Sequence, residues 1–191
     1  HGGRIFMKIR NILSLGVFEA HGLMVSVAGS KIPTRHARSC GWQTRHDMTV
    51  ELNNPDYTSG VAAFEAKNFS MAMQFLYPLA EAGDADAQHR VAIMCQNGLG
   101  VVRNDERALQ MMQAAAEQGH AIAQHGLGFM YLEGECVEKD PAMAAEWFRK
   151  AADQGLAGSI TTLAMMYEEG NGVEKDPEEA RRLYAAAGFD L

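Results

Sequence analysis

The chain repeats one pattern every 36 residues, and this period limits its possible folds more than any other feature of the sequence. Gly83, Gly119 and Gly155 lie 36 residues apart. Two further sets keep the same spacing without an insertion: Gly98, Gly134 and Gly170, and Ala72, Ala108, Ala144 and Ala180. A fixed period of this length is typical of arrays in which each unit packs against its neighbours. The sequence therefore predicts a repeat array that begins near residue 51.

Each unit is predicted to contain two helices. The second helix, as in the stretch 138–155, has apolar residues at i, i+3, i+4, i+7 and i+8, which form one stripe: Ala144, Trp147, Phe148, Ala151 and Ala152. Capping residues are predicted to start this helix at Asn104, Asp140 and Asp176. The first helix of each unit is predicted over 85–97, 121–133 and 157–169. A valine is expected beneath each connecting loop: Val102, Val137 or Val173.

These patterns predict an all-α fold, an array of antiparallel helix pairs with a 36-residue repeat. The repeat domain is predicted over 48–191, with a half-unit over 51–86 and units over 87–122, 123–158 and 159–191. Residues 1–47 show no helical or strand period and are interpreted as a leader, a remnant or a flexible basic head. Residues 7–30 have features of a signal peptide, although Glu19 and His21 interrupt the apolar stretch.

Charge is distributed unevenly along the chain. Residues 1–50 carry seven Lys or Arg and two Asp or Glu, whereas residues 51–191 carry ten and twenty-two, a net charge of −12. An acidic body disfavours nucleic acid as a partner, and no apolar run reaches the roughly 18 residues that span a membrane. Three irregularly spaced cysteines are typical of reduced thiols. We therefore expect a cytoplasmic protein, or a periplasmic or secreted one if residues 7–30 act as a signal peptide.

No group of residues in the sequence predicts catalysis, a cofactor or a metal site. His89 and His125 hold the same position in successive units, but the third unit has Thr161 there, and a zinc site needs three or four ligands. The loops that begin Gly-x-Gly lack the preceding strand and third glycine of a dinucleotide-binding loop. We expect neither an enzyme nor a cofactor.

The stretch LGFMYLEGECVEKDPAMAAEWFRKAADQG, residues 127–155, resembles the Sel-one-like repeat, a relative of the tetratricopeptide repeat. The resemblance covers residues 87–190 as three units and 57–86 as a half-unit. It implies a right-handed α-solenoid, and it implies a scaffold or adaptor that binds other proteins.

By the same resemblance, the first helix of each unit is expected to line a concave groove that binds a protein or peptide. The expected partner-binding residues are His89, Ile93, Gln96, Asn97, Ile122, His125, Phe129, Leu132, Glu133, Thr161, Met165 and Glu168. The apolar members are expected to form a strip that the core does not need, with Phe129 as the central anchor. Acidic and amide side chains are expected to flank this strip.

Two alternatives to the adaptor stay open. One is a structural unit that oligomerises without a peptide ligand. The expected oligomeric state of the chain is a monomer or a weak homodimer. The other is a hydrolase of the cysteine-rich branch of the family, which is linked to β-lactam binding. Members of that branch hold a cysteine pair within each repeat, and this chain has none.

Overall fold

A computed structural model describes residues 55–189 of the chain. The interpretations of residues 1–47 fall outside the described residues. The described part consists of eight helices and contains no strand: α1 (Pro55–Glu65), α2 (Phe69–Glu81), α3 (Ala85–Asn97), α4 (Asp105–Glu117), α5 (Ala121–Glu133), α6 (Pro141–Asp153), α7 (Ala157–Glu169) and α8 (Pro177–Ala186). None of these eight helices is long and apolar enough to cross a bilayer.

The helices form four successive pairs, and each helix packs mainly against the helices before and after it in the chain. We name the first and second members of each pair the A helix and the B helix. The predicted all-α repeat fold is confirmed, as are the predicted bounds of the A helices α3, α5 and α7. Residues 55–81 form a complete, shorter pair where the sequence predicted a half-unit over 51–86.

Side-chain caps start most of the helices. The predicted caps of the B helices α4, α6 and α8 are confirmed: Asn104, Asp140 and Asp176. Asp84 caps α3 and His120 caps α5, each accepting the backbone N–H three residues later, at 2.6 Å and 3.1 Å. Leu156 occupies the equivalent position of α7 and provides no side-chain cap. Helix α7 therefore begins without the polar contact that starts α3 and α5.

The loops between A and B helices cover the core with a valine, but not at every predicted position. Val137 and Val173 pack against the core as expected. Val102 is 90% exposed, so the prediction for this residue is wrong. Val101 packs against the core in its place, because it is the residue that lies 36 positions before Val137.

Phe148 is the centre of the α5–α6 pair. Its side chain is fully buried, and its ring lies edge-on against Phe129 and His125. Gly128 on α5 makes room for it, since a Cβ at that position would lie 2.8 Å from the Phe148 ring. The neighbouring Trp147 is only half-buried, and its indole N–H has no hydrogen-bond partner among residues 55–189. Phe148, rather than Trp147, is therefore the main core residue of this stripe.

Two buried glutamines join three helices each. The side-chain amide of Gln88 on α3 donates to the carbonyl of Ala80 at 3.1 Å, and its oxygen accepts from Gln118 at 2.8 Å. Gln124 on α5 makes the same two bonds one unit later, at 3.1 Å and 2.7 Å. Ile160 takes this position on α7. Helices α3 and α5 are thus tied to the B helices on both sides by a glutamine side chain, and α7 is not.

Candidate functional site

Helices α3, α5 and α7 share a side that the other helices leave partly or fully exposed. Each of them places one half-buried apolar side chain there: Ile93, Phe129 and Met165. One turn later on each helix is an exposed polar residue: Asn97, Glu133 and Glu169. Ile122, at the start of α5, is 52% exposed. We name these seven residues the A-face.

Phe129 belongs partly to the core. Its ring centroid lies 4.8 Å from that of His125 and 5.0 Å from that of Phe148, both in edge-on geometry. Because Phe148 is fully buried, Phe129 supports the α5–α6 contact as well as the A-face. Ile122, not Phe129, is the large apolar side chain that the A-face exposes most.

His125 closes the contact between α5 and α7. Its Nδ1 lies 2.7 Å from the hydroxyl of Ser159, and Gly158 lies beside its ring. Burial lowers the pKa of His125 to about 4, so its ring is neutral near pH 7. Thr161, the equivalent residue of α7, is half-buried and donates to the carbonyl of Ala157. Both side chains thus make contacts within the array rather than projecting freely from it.

His89 belongs to a polar cluster with Asp86 and His120. The rings of the two histidines stack, with centroids 5.2 Å apart. The Asp86 carboxylate accepts from Arg90 at 2.6 Å and from the hydroxyl of Tyr57 at 2.8 Å. Burial alone would raise the pKa of Asp86, but hydrogen bonds from His120, Arg90 and Tyr57 outweigh it and hold this pKa well below its usual range. The carboxylate is therefore ionised and fully engaged.

The same three side chains could in principle hold a metal ion, since their ligand atoms lie within 4.8 Å of one another. The hydrogen bonds do not suit a cation. Nδ1 of His120 accepts the cap N–H, so Nε2 carries the proton of the neutral ring and faces Asp86 at 3.5 Å. A metal on Nε2 would have to displace that proton, and the Arg90 guanidinium on the same carboxylate would repel it. The cluster is better explained as a tie between α1, α3 and the start of α5.

The position shared by Gln96, Leu132 and Glu168 faces neighbouring elements rather than the A-face. Leu132 is only 8% exposed and packs in the core with residues of α6, so its placement in the exposed apolar strip is wrong. Gln96 donates to a glutamate of the next loop at 3.0 Å, and Glu168 accepts from the Tyr184 hydroxyl at 3.1 Å. Three residues turn a helix by about 300°, so this position is rotated about 60° away from the apolar row.

His120, Arg90 and Tyr57 were not among the residues predicted from sequence to form a site. The position of His120 is visible in the repeat, because Asp84 occupies the same capping position 36 residues earlier. The contact between Tyr57 and Asp86 is not visible, because the short loop between α1 and α2 breaks the 36-residue register.

Comparison with protein families gives one matching family. The family model of the Sel1 repeat matches residues 85–120, 121–156 and 161–188, which together exceed half of the chain. No curated protein matches the chain.

Several solved structures resemble the fold. A Sel1 repeat protein from Oxalobacter formigenes is 34% identical, with a TM-score of 0.66 over 69% of this chain and 54% of that one. The protective antigen c5321 of uropathogenic Escherichia coli, which displays an SLR fold, is 30% identical with a TM-score of 0.66, over 70% of this chain and 29% of that one. This chain therefore spans about half of the first protein and less than a third of the second. Helicobacter pylori cysteine rich protein B is 20% identical, with a TM-score of 0.50 over 65% of this chain and 87% of that one, and it supports the fold alone.

Proposed function

This chain belongs to the Sel1 repeat family, and from that membership we propose that it is a non-catalytic scaffold that binds an extended segment of another protein on its A-face. Proteins of this family are generally protein-interaction scaffolds. The observation that carries the finer proposal is the 52% exposure of Ile122 beside a row of half-buried apolar side chains. Exposed apolar surface bordered by polar residues is typical of protein-binding sites.

The structure beneath the A-face favours binding without a large rearrangement. Gln88 and Gln124 hold α3 and α5 to their neighbours, and His125 joins α5 to α7. A surface that is already ordered loses little conformational entropy when a ligand binds. These bonds occupy the side-chain amides of Gln88 and Gln124 and the Nδ1 atom of His125, so recognition falls to the exposed side chains of the A-face.

The test uses the full chain and a random peptide library displayed on phage. Peptides selected on the parent protein are then titrated against two variants, Ile122→Ser and Val102→Ser. Val102 is a matched control, because it is also an exposed aliphatic residue but lies in the loop between α3 and α4. We expect Ile122→Ser to weaken binding at least about tenfold, which is 1.4 kcal/mol, and Val102→Ser to leave it unchanged. Equal affinity of all three proteins would contradict the proposal.

A second copy of the chain is the competing occupant of this surface. Light scattering over a range of concentrations distinguishes it from a peptide ligand. Dimerisation that Ile122→Ser abolishes and Val102→Ser preserves would assign the A-face to self-association, and the scaffold proposal would then be wrong. A monomer that binds the selected peptides supports it.

A further inference from the structure

We infer that the segment bound on the A-face is cationic: an extended stretch with two Lys or Arg residues about three positions apart and an apolar side chain between them. This inference rests on the proposed function and names the chemistry of the partner. It follows from the separation of charge between A and B helices and from the positions of two glutamates.

Basic residues are absent from the last two A helices. Helices α5 and α7 contain no Lys or Arg, whereas the B helices α6 and α8 contain two each: Arg149, Lys150, Arg181 and Arg182. The one basic residue of α3, Arg90, is bound to Asp86 at 2.6 Å. The A helices of the last two units therefore present acidic groups without a basic residue of their own, within a body whose net charge is −12 over residues 51–191. Complementary charge across an interface favours a basic partner.

Glu133 and Glu169 are the acidic groups available to that partner. Both side chains are exposed, and neither takes part in a hydrogen bond or an ion pair within residues 55–189. Glu168, by contrast, is held by the hydroxyl of Tyr184. Glu133 and Glu169 are also the last residues of α5 and α7, where the negative end of the helix dipole adds to the attraction for a cation.

The spacing of the two glutamates favours a polypeptide over a small cation. They hold equivalent positions on α5 and α7, which touch where His125 contacts Ser159 and Gly158, and helices in contact lie about 8–10 Å apart. An extended segment in the polyproline II conformation advances about 3.1 Å per residue with three residues per turn, so two side chains three positions apart lie on the same side of it, about 9 Å from each other. The residues between the two cations would then lie near Phe129 and Met165, which are one turn earlier on the same helices.

Fluorescence polarisation with the full chain tests this inference. The probe is the labelled peptide Gly-Lys-Ala-Leu-Lys-Ala-Gly, and the comparison peptide has Gln at both Lys positions. Three proteins are titrated at low salt: the parent, the double variant Glu133→Gln with Glu169→Gln, and Glu146→Gln. Glu146 is a matched control, because it is an exposed glutamate on the B helix α6. We expect the parent to bind the Lys peptide at least about tenfold more tightly than the Gln peptide. The double variant should lose most of that preference, and added salt should reduce it in the parent.

The remaining outcomes separate this inference from the proposed function. If both peptides bind equally and Ile122→Ser weakens both, the A-face binds protein but the cationic inference is wrong. The inference also fails if Glu146→Gln removes as much preference as the double variant, since net charge alone would then explain the attraction. If neither peptide binds at about 1 mM while library peptides bind through Ile122, the inference is overturned and the proposed function stands. Failure of the library peptides as well would overturn both.

Discussion

The α5–α6 pair and the α7–α8 pair have the same backbone plan but differ in how their helices are held together. In α5–α6 a glycine faces a fully buried phenylalanine, and a buried glutamine joins the pair to α4: Gly128, Phe148 and Gln124. The equivalent residues of α7–α8 are Ala164, Tyr184 and Ile160. Helix α6 buries four residues, whereas α8 buries only Ala180. The repeat therefore sets the positions of the helices but not the strength of each contact between them.

Residues that face each other across a pair differ together between α3–α4 and α5–α6, whereas α7–α8 combines Ala164 with the half-buried Tyr184. The α3–α4 pair has Ala92 and Met112 at the positions that hold Gly128 and Phe148 in α5–α6. A flexible methionine tolerates a methyl group opposite it, whereas a rigid ring at 2.8 Å from the would-be Cβ does not. The glycine in α5 is thus explained by the phenylalanine in α6, at a cost of about 0.5–1 kcal/mol in helix stability.

The largest expected difference between the two pairs comes from removing the aromatic ring. Phe148→Ala should reduce the free energy of unfolding by about 3–5 kcal/mol, because the side chain is fully buried. Tyr184→Ala should cost clearly less, because Tyr184 is only half-buried. Trp147→Ala should fall between them. Urea unfolding followed by circular dichroism measures all three, and equal losses for Phe148 and Tyr184 would remove the contrast between the pairs.

The next largest effect tests whether Gly128 is required by the Phe148 ring that it faces. Gly128→Ala should cost about 1–3 kcal/mol, because the added methyl group overlaps the Phe148 ring. The cost should shrink when Phe148→Met is present, since this recreates the Ala–Met combination of α3–α4. Gly158→Ala is the control in α7: its Cβ would lie 3.4 Å from the His125 ring, so the variant should be as stable as the parent or more so. A double-mutant cycle with additive energies would show that the two residues are independent.

The hydrogen bonds of the buried glutamine should stabilise the α5–α6 unit and have no counterpart in α7–α8. Gln124→Leu leaves the Ala116 carbonyl and the Gln154 amide without this partner, and we expect it to cost about 1–3 kcal/mol. Ile160→Gln, at the equivalent position of α7, should change stability by only a few tenths of a kcal/mol. Thermal unfolding of both variants checks this, and a stable Gln124→Leu protein would show that the tie contributes nothing net.

The smallest effect depends on pH and involves only α3 and α5, which carry His89 and His125. Burial lowers the pKa values of His89 and His125 to about 4 from the usual 6.5. Between pH 6.5 and 4 the unfolded chain therefore binds more protons than the folded chain. The free energy of unfolding has its full value above this range and decreases as the pH falls through it. Each histidine should contribute on the order of 1 kcal/mol between pH 7 and 5.

The pH effect has an internal control. The equivalent residue of α7 is Thr161, which does not titrate, so Thr161→Ser should leave the pH profile unchanged. The melting temperature of His125→Gln should fall less steeply on acidification than that of the parent. A variant profile parallel to that of the parent would mean that other groups cause the loss.

Local signals made most of the fold predictable, and long-range contacts made part of the candidate site unpredictable. The apolar stripes lie within one helix and the glycines at 98, 134 and 170 follow directly after one, so the bounds of α3, α5 and α7 are predictable from sequence. The start of α6 is predictable in the same way from its cap, Asp140. Leu132 was misplaced because a rotation of about 60° separates the A-face from the contact with the B helix. His89 pairs with His120 across a loop, and no periodicity within one helix reveals that contact.

The shallow packing of α8 has a consequence for how occupancy of the array can be detected. Because helices mainly contact their neighbours in the chain, the last pair can open while α3–α4 stays folded, and amide hydrogens of α7 and α8 should exchange with solvent faster than those of the preceding pairs. Met165 and Glu169 lie on α7, so a ligand that contacts them must first hold this pair closed. Binding on the A-face should therefore slow hydrogen exchange selectively in α7 and α8. The measured affinity should be weaker than the affinity for the closed pair, because only the closed fraction binds the ligand.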